Sequence, residues 1–341
     1  MSKSLLVEPR VRSKTLLIVE GNHEKNDLFR SLFKCFPEVW VDEHDVWIYG
    51  SNVYSLFDSL VNEYGNKWDE LDVDLPLVIS RTRADIPTRN KEGFKNIILV
   101  FDYERHDPKF SIEKIERMQA YFCDETDIGK LYINYPMIES YQHLQSILDP
   151  EFAALRVSTT LRPGAKYKAL VRDSFFEYAI GLPEKIKEYL INKCGCEETN
   201  ADSLIEQILN ISRADNMLET ISNILSERIP LTLIKSSTHY INHLIYELKY
   251  MKDGHNYWQY IRFCFQRAMQ HNLRKCSVVL GGEYNLDDEM CRVFIKGVNY
   301  EGILSQQNCL SSDPIMGEIW VLNTCILLIP EYKYELMHLE A

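Results

Sequence analysis

The sequence predicts an α/β fold: a mainly parallel sheet flanked by helices, followed by a mostly α-helical region. Three observations lead there. Short apolar runs, Leu16 to Val19, Ile97 to Phe101 and Leu131 to Ile133, each exit through polar residues into a stretch of helical spacing. That is the pattern of buried parallel strands feeding helices. The runs alternate with helical periods up to about residue 145, whereas strand signals are sparse beyond about 160.

The elements follow in order. Residues 1–14 read as a polar lead-in, 15–19 as a strand and 23–35 as a helix closed by Pro37. Val46 to Tyr49 reads as a second short strand. Val53, Leu56, Phe57, Leu60 and Val61 recur at helical spacing, and Gly65 ends that helix. Residues 66–95 read as irregular, with one apolar island at Leu75 to Ile79. Asn96 to Phe101 is the next strand and 111–122 a helix. Lys130 to Asn134 is a further strand, after which Pro136 suits a first helical turn. Helical periods then cover 164–180, 183–193, 202–212, 214–227, 236–252, 255–271 and 286–304. Val278 to Gly282 reads as a short strand. Glu318 to Ile329 is apolar and short enough for either a buried helix or a strand.

Composition bounds the function. The chain has 341 residues and a formal net charge of −12, which argues against a constitutive nonspecific nucleic-acid binder but leaves room for a local basic channel. The N-terminus has no apolar signal-like region, and the apolar stretch near the end is about half a bilayer span. Nine scattered cysteines fit a reduced, cytoplasmic setting. Cys194 and Cys196 form a C-x-C with no second pair at zinc spacing. His239 and His243 lack the glutamate of a zinc protease helix and read as core or surface residues. There is no G-x-x-x-x-G-K-[ST] phosphate loop and no G-x-S-x-G elbow.

Acidic residues stand at three predicted strand ends. Glu20 follows LLIV, Asp102 and Glu104 follow IILVF, and Glu139 follows LYIN. Carboxyl ends of parallel strands share one edge, where ligands bind in open α/β sheets. In extended chain, residues two apart point the same way, so Asp102 and Glu104 could face one cation. Converging carboxylates suit Mg²⁺ and phosphoryl transfer. Glu24, one turn after Glu20, could reach the same ion or serve as a cap or ion-pair partner. Glu139 falls early in a helix, where the dipole alone favours an acid. Between Arg156 and Arg172 there are five cations, Arg156, Arg162, Lys166, Lys168 and Arg172, and no acid. They read either as phosphate contacts, with Lys166 or Lys168 stabilising phosphate charge, or as a solvated helix face.

LLIVEGNHE followed by IILVFDYE resembles the Toprim domain of topoisomerases, bacterial primases and several phage-defence nucleases. The family pattern is a glutamate after the first strand, usually in a Glu-Gly pair, then D-x-D after a later strand. Glu20-Gly21 matches the first part. Asp102-Tyr103-Glu104 matches the second with a longer acidic arm in the last position. The resemblance implies Glu20 as metal ligand or general acid/base and Asp102 and Glu104 as metal ligands, with Mg²⁺ or Mn²⁺ as cofactor. Glu24 and Glu139 would be additional ligands. With the NYPMIES segment and a helical partner region, the chain is similar to the Toprim-like effector subunit of the PARIS anti-phage system. That similarity implies an abortive-infection endonuclease, homodimeric, cleaving RNA such as tRNA once released by an ABC-type ATPase partner. Residues 1–155 would be the catalytic domain. Residues 156–341 would serve dimerisation, partner or substrate binding, with Arg162, Lys166, Lys168 and Arg172 on nucleic acid. A DNA nickase of the same fold and a non-catalytic metal-binding regulatory module are the alternatives.

Overall fold

In the computed structural model the described residues are 14–338, except 23, 40, 125, 127, 162–164 and 314. The polar lead-in therefore lies almost wholly outside them. The chain forms two compact units, each assembled from separate stretches. The first comprises Met1–Asn22, Val41–Phe101 and Ser111–Tyr132, the second His23–Trp40, Asp102–Phe110 and Ile133–Ala341.

A five-stranded, mostly parallel sheet organises the first unit. Its strands are β1 (Thr15–Val19), β2 (Val46–Ile48), β3 (Asn96–Asp102), β4 (Cys123–Asp124) and β5 (Gly129–Asn134), in the order β2-β1-β3-β5-β4. β1 pairs in parallel with β2, Val19 opposite Ile48, and with β3, Val19 opposite Val100. β4 returns antiparallel on β5. Leu16, Ile18, Leu99, Val100 and Phe101 are fully buried, as a parallel sheet covered on both faces requires. β3 and β5 leave this unit at their carboxyl ends, so Asp102 and Asn134 belong to the second.

The helices of the first unit are started by side-chain caps. Asn52 accepts from Ser55 N ahead of Val53–Tyr64, and Gly65 closes that helix at φ +83°. Ser111 caps Ile112–Tyr121. Trp68 is buried edge-on to Phe57 and Tyr121 and stacked on Phe122. The apolar island at 75–79 is not part of an irregular stretch: Leu75–Thr82 is a helix. Asp74 Oδ1 accepts from Leu77 N at 3.1 Å and Pro76 stands in the first turn, a start signal that the polar surroundings obscured.

The second unit is mainly helical and centres on Tyr257–Val279, opened by a reciprocal cap between Asn256 and Gln259. This helix runs to Val279 and stops at Leu280 and Gly281, φ +85°, so the short strand expected at 278–282 is its last turn and exit. The segment 318–329 is neither one helix nor one strand. It contains β7 (Glu318–Trp320), a 3₁₀ turn Cys325–Leu327 and the start of the helix Leu328–Tyr332. β7 pairs antiparallel with β6 (Arg156–Ser158), Val157 opposite Ile319. Three-residue strands so far apart in sequence carry no local pairing signal. Pro136 does not open a helix. Met137 is extended, and a 3₁₀ turn spans Ile138–Gln142. His239 and His243 are exposed on Leu231–Tyr246. No described helix is long and apolar enough to cross a membrane.

Candidate functional site

Asp102 closes β3 with 5 % exposure. Tyr103 anchors the chain just beyond that strand. Its amide donates to Asn134 O (3.0 Å), and its ring lies against Phe110 and Tyr135. Its hydroxyl donates to Asn308 Oδ1 (2.7 Å) and stands 2.9 Å from Ser311 Oγ. Glu104 then turns into left-handed backbone, φ +38°. Same-side projection of Asp102 and Glu104 presupposes extended chain at both residues, so that argument does not hold at Glu104.

Glu139 lies in the first turn of Ile138–Gln142 and is 4 % exposed. Both its neighbours are held by Asn323, whose Nδ2 donates to Ile138 O (2.9 Å) and Ser140 Oγ (3.2 Å). Asn323 Oδ1 accepts from Ile326 N (3.2 Å), and Asn323 N donates to Asn272 Oδ1 (2.7 Å). Thr324 Oγ1 donates to Ile133 O at 2.8 Å. These buried polar groups tie the chain after β5 to the segment after β7, and a network this fully satisfied rigidifies what it holds. Glu24, 6 % exposed, begins a π-helical turn, Glu24–Phe29. Such turns are rare and frequent at functional sites.

Lys168 brings these acids together. Its Nζ stands 2.7 Å from Glu139 Oε1. Burial opposes its charge, yet the Glu139 hydrogen bond and the charges of Glu139, Asp102 and Glu24 outweigh burial and raise its pKa. Neighbouring groups register the same acids. Burial and then the charges of Glu139 and Asp102 push the Tyr167 phenol up. Burial, Asp102 and Glu24 push the Cys325 thiol up against a lowering hydrogen bond from Asn134. Glu24, Asp102 and Glu139 are thus three buried acids of the second unit whose charges act on the half-exposed Lys168, and Glu139 pairs with it directly.

Glu20 belongs to the first unit, where its carbonyl accepts from Gly50 N at 2.8 Å beyond the β1–β2 pairing. Arg162 lies outside the described residues. Arg156 pairs with Glu318 (3.2 Å) and stacks 3.8 Å over the Trp320 ring, while Lys166 and Arg172 are exposed. The cationic run is therefore not one uniform face: two of its members are committed to acids of this chain.

Among the described residues, no group of three or more His, Cys, Asp or Glu side chains is arranged to hold a metal ion. The donor set as it stands suits an ammonium on Glu139 rather than a divalent ion, which needs several oxygens at once. Sequence reasoning did not reach Asn323, Asn134, Asn308 or the Tyr167–His143 contact (3.1 Å). One signal existed for the first. Asn323-Thr324 interrupts an otherwise apolar run, and polar residues buried there must be hydrogen-bonded. No protein-family model matches this chain, and no curated protein or solved structure is significantly similar to it.

Proposed function

We propose that this protein is a metal-dependent nucleic-acid endonuclease of the Toprim type, acting on RNA such as tRNA in anti-phage defence. The observation that carries the reading is the buried cluster of Glu24, Asp102 and Glu139 at Lys168, with Asp102 at the carboxyl end of a sheet strand. Buried carboxylates are costly unless they serve a cation or a partner. The order Glu20-Gly21 and then Asp102-x-Glu104 supports the family reading. Asp102 and Glu139 would hold Mg²⁺ or Mn²⁺, with Glu24 and Glu104 as further ligands. The ion would supply charge stabilisation at a scissile phosphate. Lys166 and Arg172, both exposed, would contact the backbone. An ABC-type ATPase partner would supply the trigger, since the chain has no phosphate loop of its own, and the active form would be a homodimer in the cytoplasm.

A second reading has its own support. The acids are arranged around Lys168 and form no three-donor metal set among the described residues, which favours a latent or non-cleaving regulatory module. The deciding experiment offers purified protein total tRNA and supercoiled plasmid in parallel, with Mg²⁺, Mn²⁺ or EDTA. Glu20→Ala and Asp102→Ala serve as controls. Metal-dependent RNA cleavage lost in both variants is expected. Cleavage retained in both variants would sink the catalytic assignment, and nicked plasmid with intact tRNA would replace the ribonuclease by a DNA nickase.

A further inference from the structure

The central helix of the second unit, Tyr257–Val279, leaves one stripe half-exposed: Phe263, Arg267, Gln270, Arg274 and Val278 recur at helical spacing. The two cations on that stripe have no acid. Among the described residues neither Arg267 nor Arg274 forms an ion pair, and the Nε of each is shielded from water without a hydrogen-bond acceptor. Nearby arginines are matched: Arg262 of the same helix lies 3.9 Å from Glu38, and Arg292 of Asp288–Ile295 lies 2.9 Å from Glu335. Neighbouring acids are committed as well. Asp288 Oδ1 accepts from the Tyr334 hydroxyl (2.8 Å), Asp287 Oδ1 from Met290 N (2.8 Å), and Asp149 from the amides of Gln145 and Glu151. Gln270 links the stripe to the chain beside it: its Oε1 accepts from Arg267 Nη1 and its Nε2 donates to Met337 O, both at 3.1 Å. The Arg267 guanidinium lies 5.6 Å from the centre of the Phe263 ring. Burial raises the pKa of the Cys291 thiol, while the charge of Arg274 and its hydrogen bond lower it, which sets Arg274 beside that thiol. Burial and then the charge of Arg274 lower the pKa of Arg267, as like charges on one helix face require.

We infer that Arg267 and Arg274 form a binding site for a phosphate group carrying two negative charges. The inference stands apart from the function proposed above. Two turns of helix set the two Cα atoms about 10.5 Å apart along the axis, a span that two long side chains close by converging on one phosphate or diphosphate. The guanidinium fork matches phosphate oxygens and is more weakly hydrated than an ammonium, so it suits a place where water is partly excluded. One carboxylate would neutralise one of the two cations, whereas a dianionic phosphate neutralises both. Gln270 spends its donor on Met337 O and its acceptor on Arg267, so it is a positioning residue for Arg267. Inorganic phosphates, a nucleotide and the phosphorylated end of an RNA strand all carry the required group, and their separate binding distinguishes the source.

Pyrophosphate, ADP and a short RNA with or without a 5′-phosphate are titrated calorimetrically into full-length protein at neutral pH and low salt. EDTA is present throughout, so that metal chelation and cleavage play no part. Arg267→Gln and Arg274→Gln should each weaken pyrophosphate binding at least about tenfold, and the double variant should lose it. Arg267→Lys keeps the charge without the fork and should lose about threefold; it also serves should Arg267→Gln fail to fold. Arg292→Gln, whose ion pair lies outside the stripe, should stay within about twofold of wild type and so excludes a general charge effect. Thermal melting is a second readout: pyrophosphate should raise the melting temperature of wild type and leave that of the double variant unmoved. Tighter binding of ADP or of the phosphorylated RNA than of pyrophosphate supports the site and names its source. Equal pyrophosphate binding by wild type and the double variant overturns the inference, as does wild type that binds none of the phosphate probes. RNA bound equally with and without its 5′-phosphate, with neither small probe bound, replaces the site by a general backbone-binding surface. Each of these failures leaves the metal-dependent reading standing.

Discussion

Asn323 and Ser140 are joined by a hydrogen bond of 3.2 Å, Nδ2 to Oγ, although 183 positions separate them in the chain. Both are fully buried. The same amide donates to Ile138 O, so the two residues flanking Glu139 hang on one side chain from the far end of the sequence.

Asn323→Ala removes that amide and leaves Ile138 O and Ile326 N without the partners they have now. Burying such groups unsatisfied costs about 1–3 kcal/mol each. We expect a loss of about 2–4 kcal/mol in urea unfolding, with the Glu139 turn loosened. A midpoint equal to that of wild type would show that the network does not hold the turn.

His143 predicts an acid limit. Burial, reinforced by the charge of Lys275 and opposed by Asp149, lowers its pKa to about 4. An unfolded histidine titrates near 6.5. At pH 7 both states are neutral and the group contributes no slope. Between about 6.5 and 4 the unfolded chain takes up the proton and the folded one does not, so stability falls as pH falls. The loss across that window is on the order of 3 kcal/mol. Burial also lowers the pKa of His271, which adds in the same direction. Urea midpoints at pH 7 and pH 5 measure the slope, and His143→Gln should flatten it. An unchanged slope in that variant would place the acid sensitivity elsewhere.

Asp74 carries two backbone amides, Leu77 N and Lys91 N, each at 3.1 Å from Oδ1. Asp74→Ala should cost about 1–2 kcal/mol through the lost cap, and Asp74→Asn should recover most of it. Hydrogen exchange would locate the effect at Leu75–Thr82 and at 91. Uniform protection losses across the molecule would argue against a local cap.

Tyr103→Phe keeps the ring between Phe110 and Tyr135 but removes the bond to Asn308 Oδ1. Stability should drop by about 1–2 kcal/mol. If the carboxylates beside it act as proposed, turnover should drop further than this loss of folded protein explains, because Asp102 and Glu104 are positioned through Tyr103. Turnover unchanged at full folding would remove Tyr103 from the positioning of the site.

Much of the first unit was legible because its signals are local. Leu16 to Val19 and Ile97 to Phe101 are continuous apolar runs, and Gly65 is a stop residue read within one turn. Leu75–Thr82 was missed because only one turn of apolar residues marks it within a polar stretch. β6 was missed, and the stretch holding β7 was left between helix and strand, because their pairing joins Val157 to Ile319.

By itself the sequence determined that strands and helices alternate early, that helices dominate later, and that an acid stands at each of three strand ends. Periodicity and turn chemistry act over a few residues, so they can be read without coordinates. Only the tertiary structure decided which acids share a neighbourhood. It paired Glu139 with Lys168, set the charges of Asp102 and Glu24 on the same ammonium, and turned Glu104 out of extended backbone. Desolvation and Coulomb attraction depend on distance through space, and the contacts that set those distances, Tyr103 to Asn308 and Ser140 to Asn323, span about two hundred positions that no local pattern encodes.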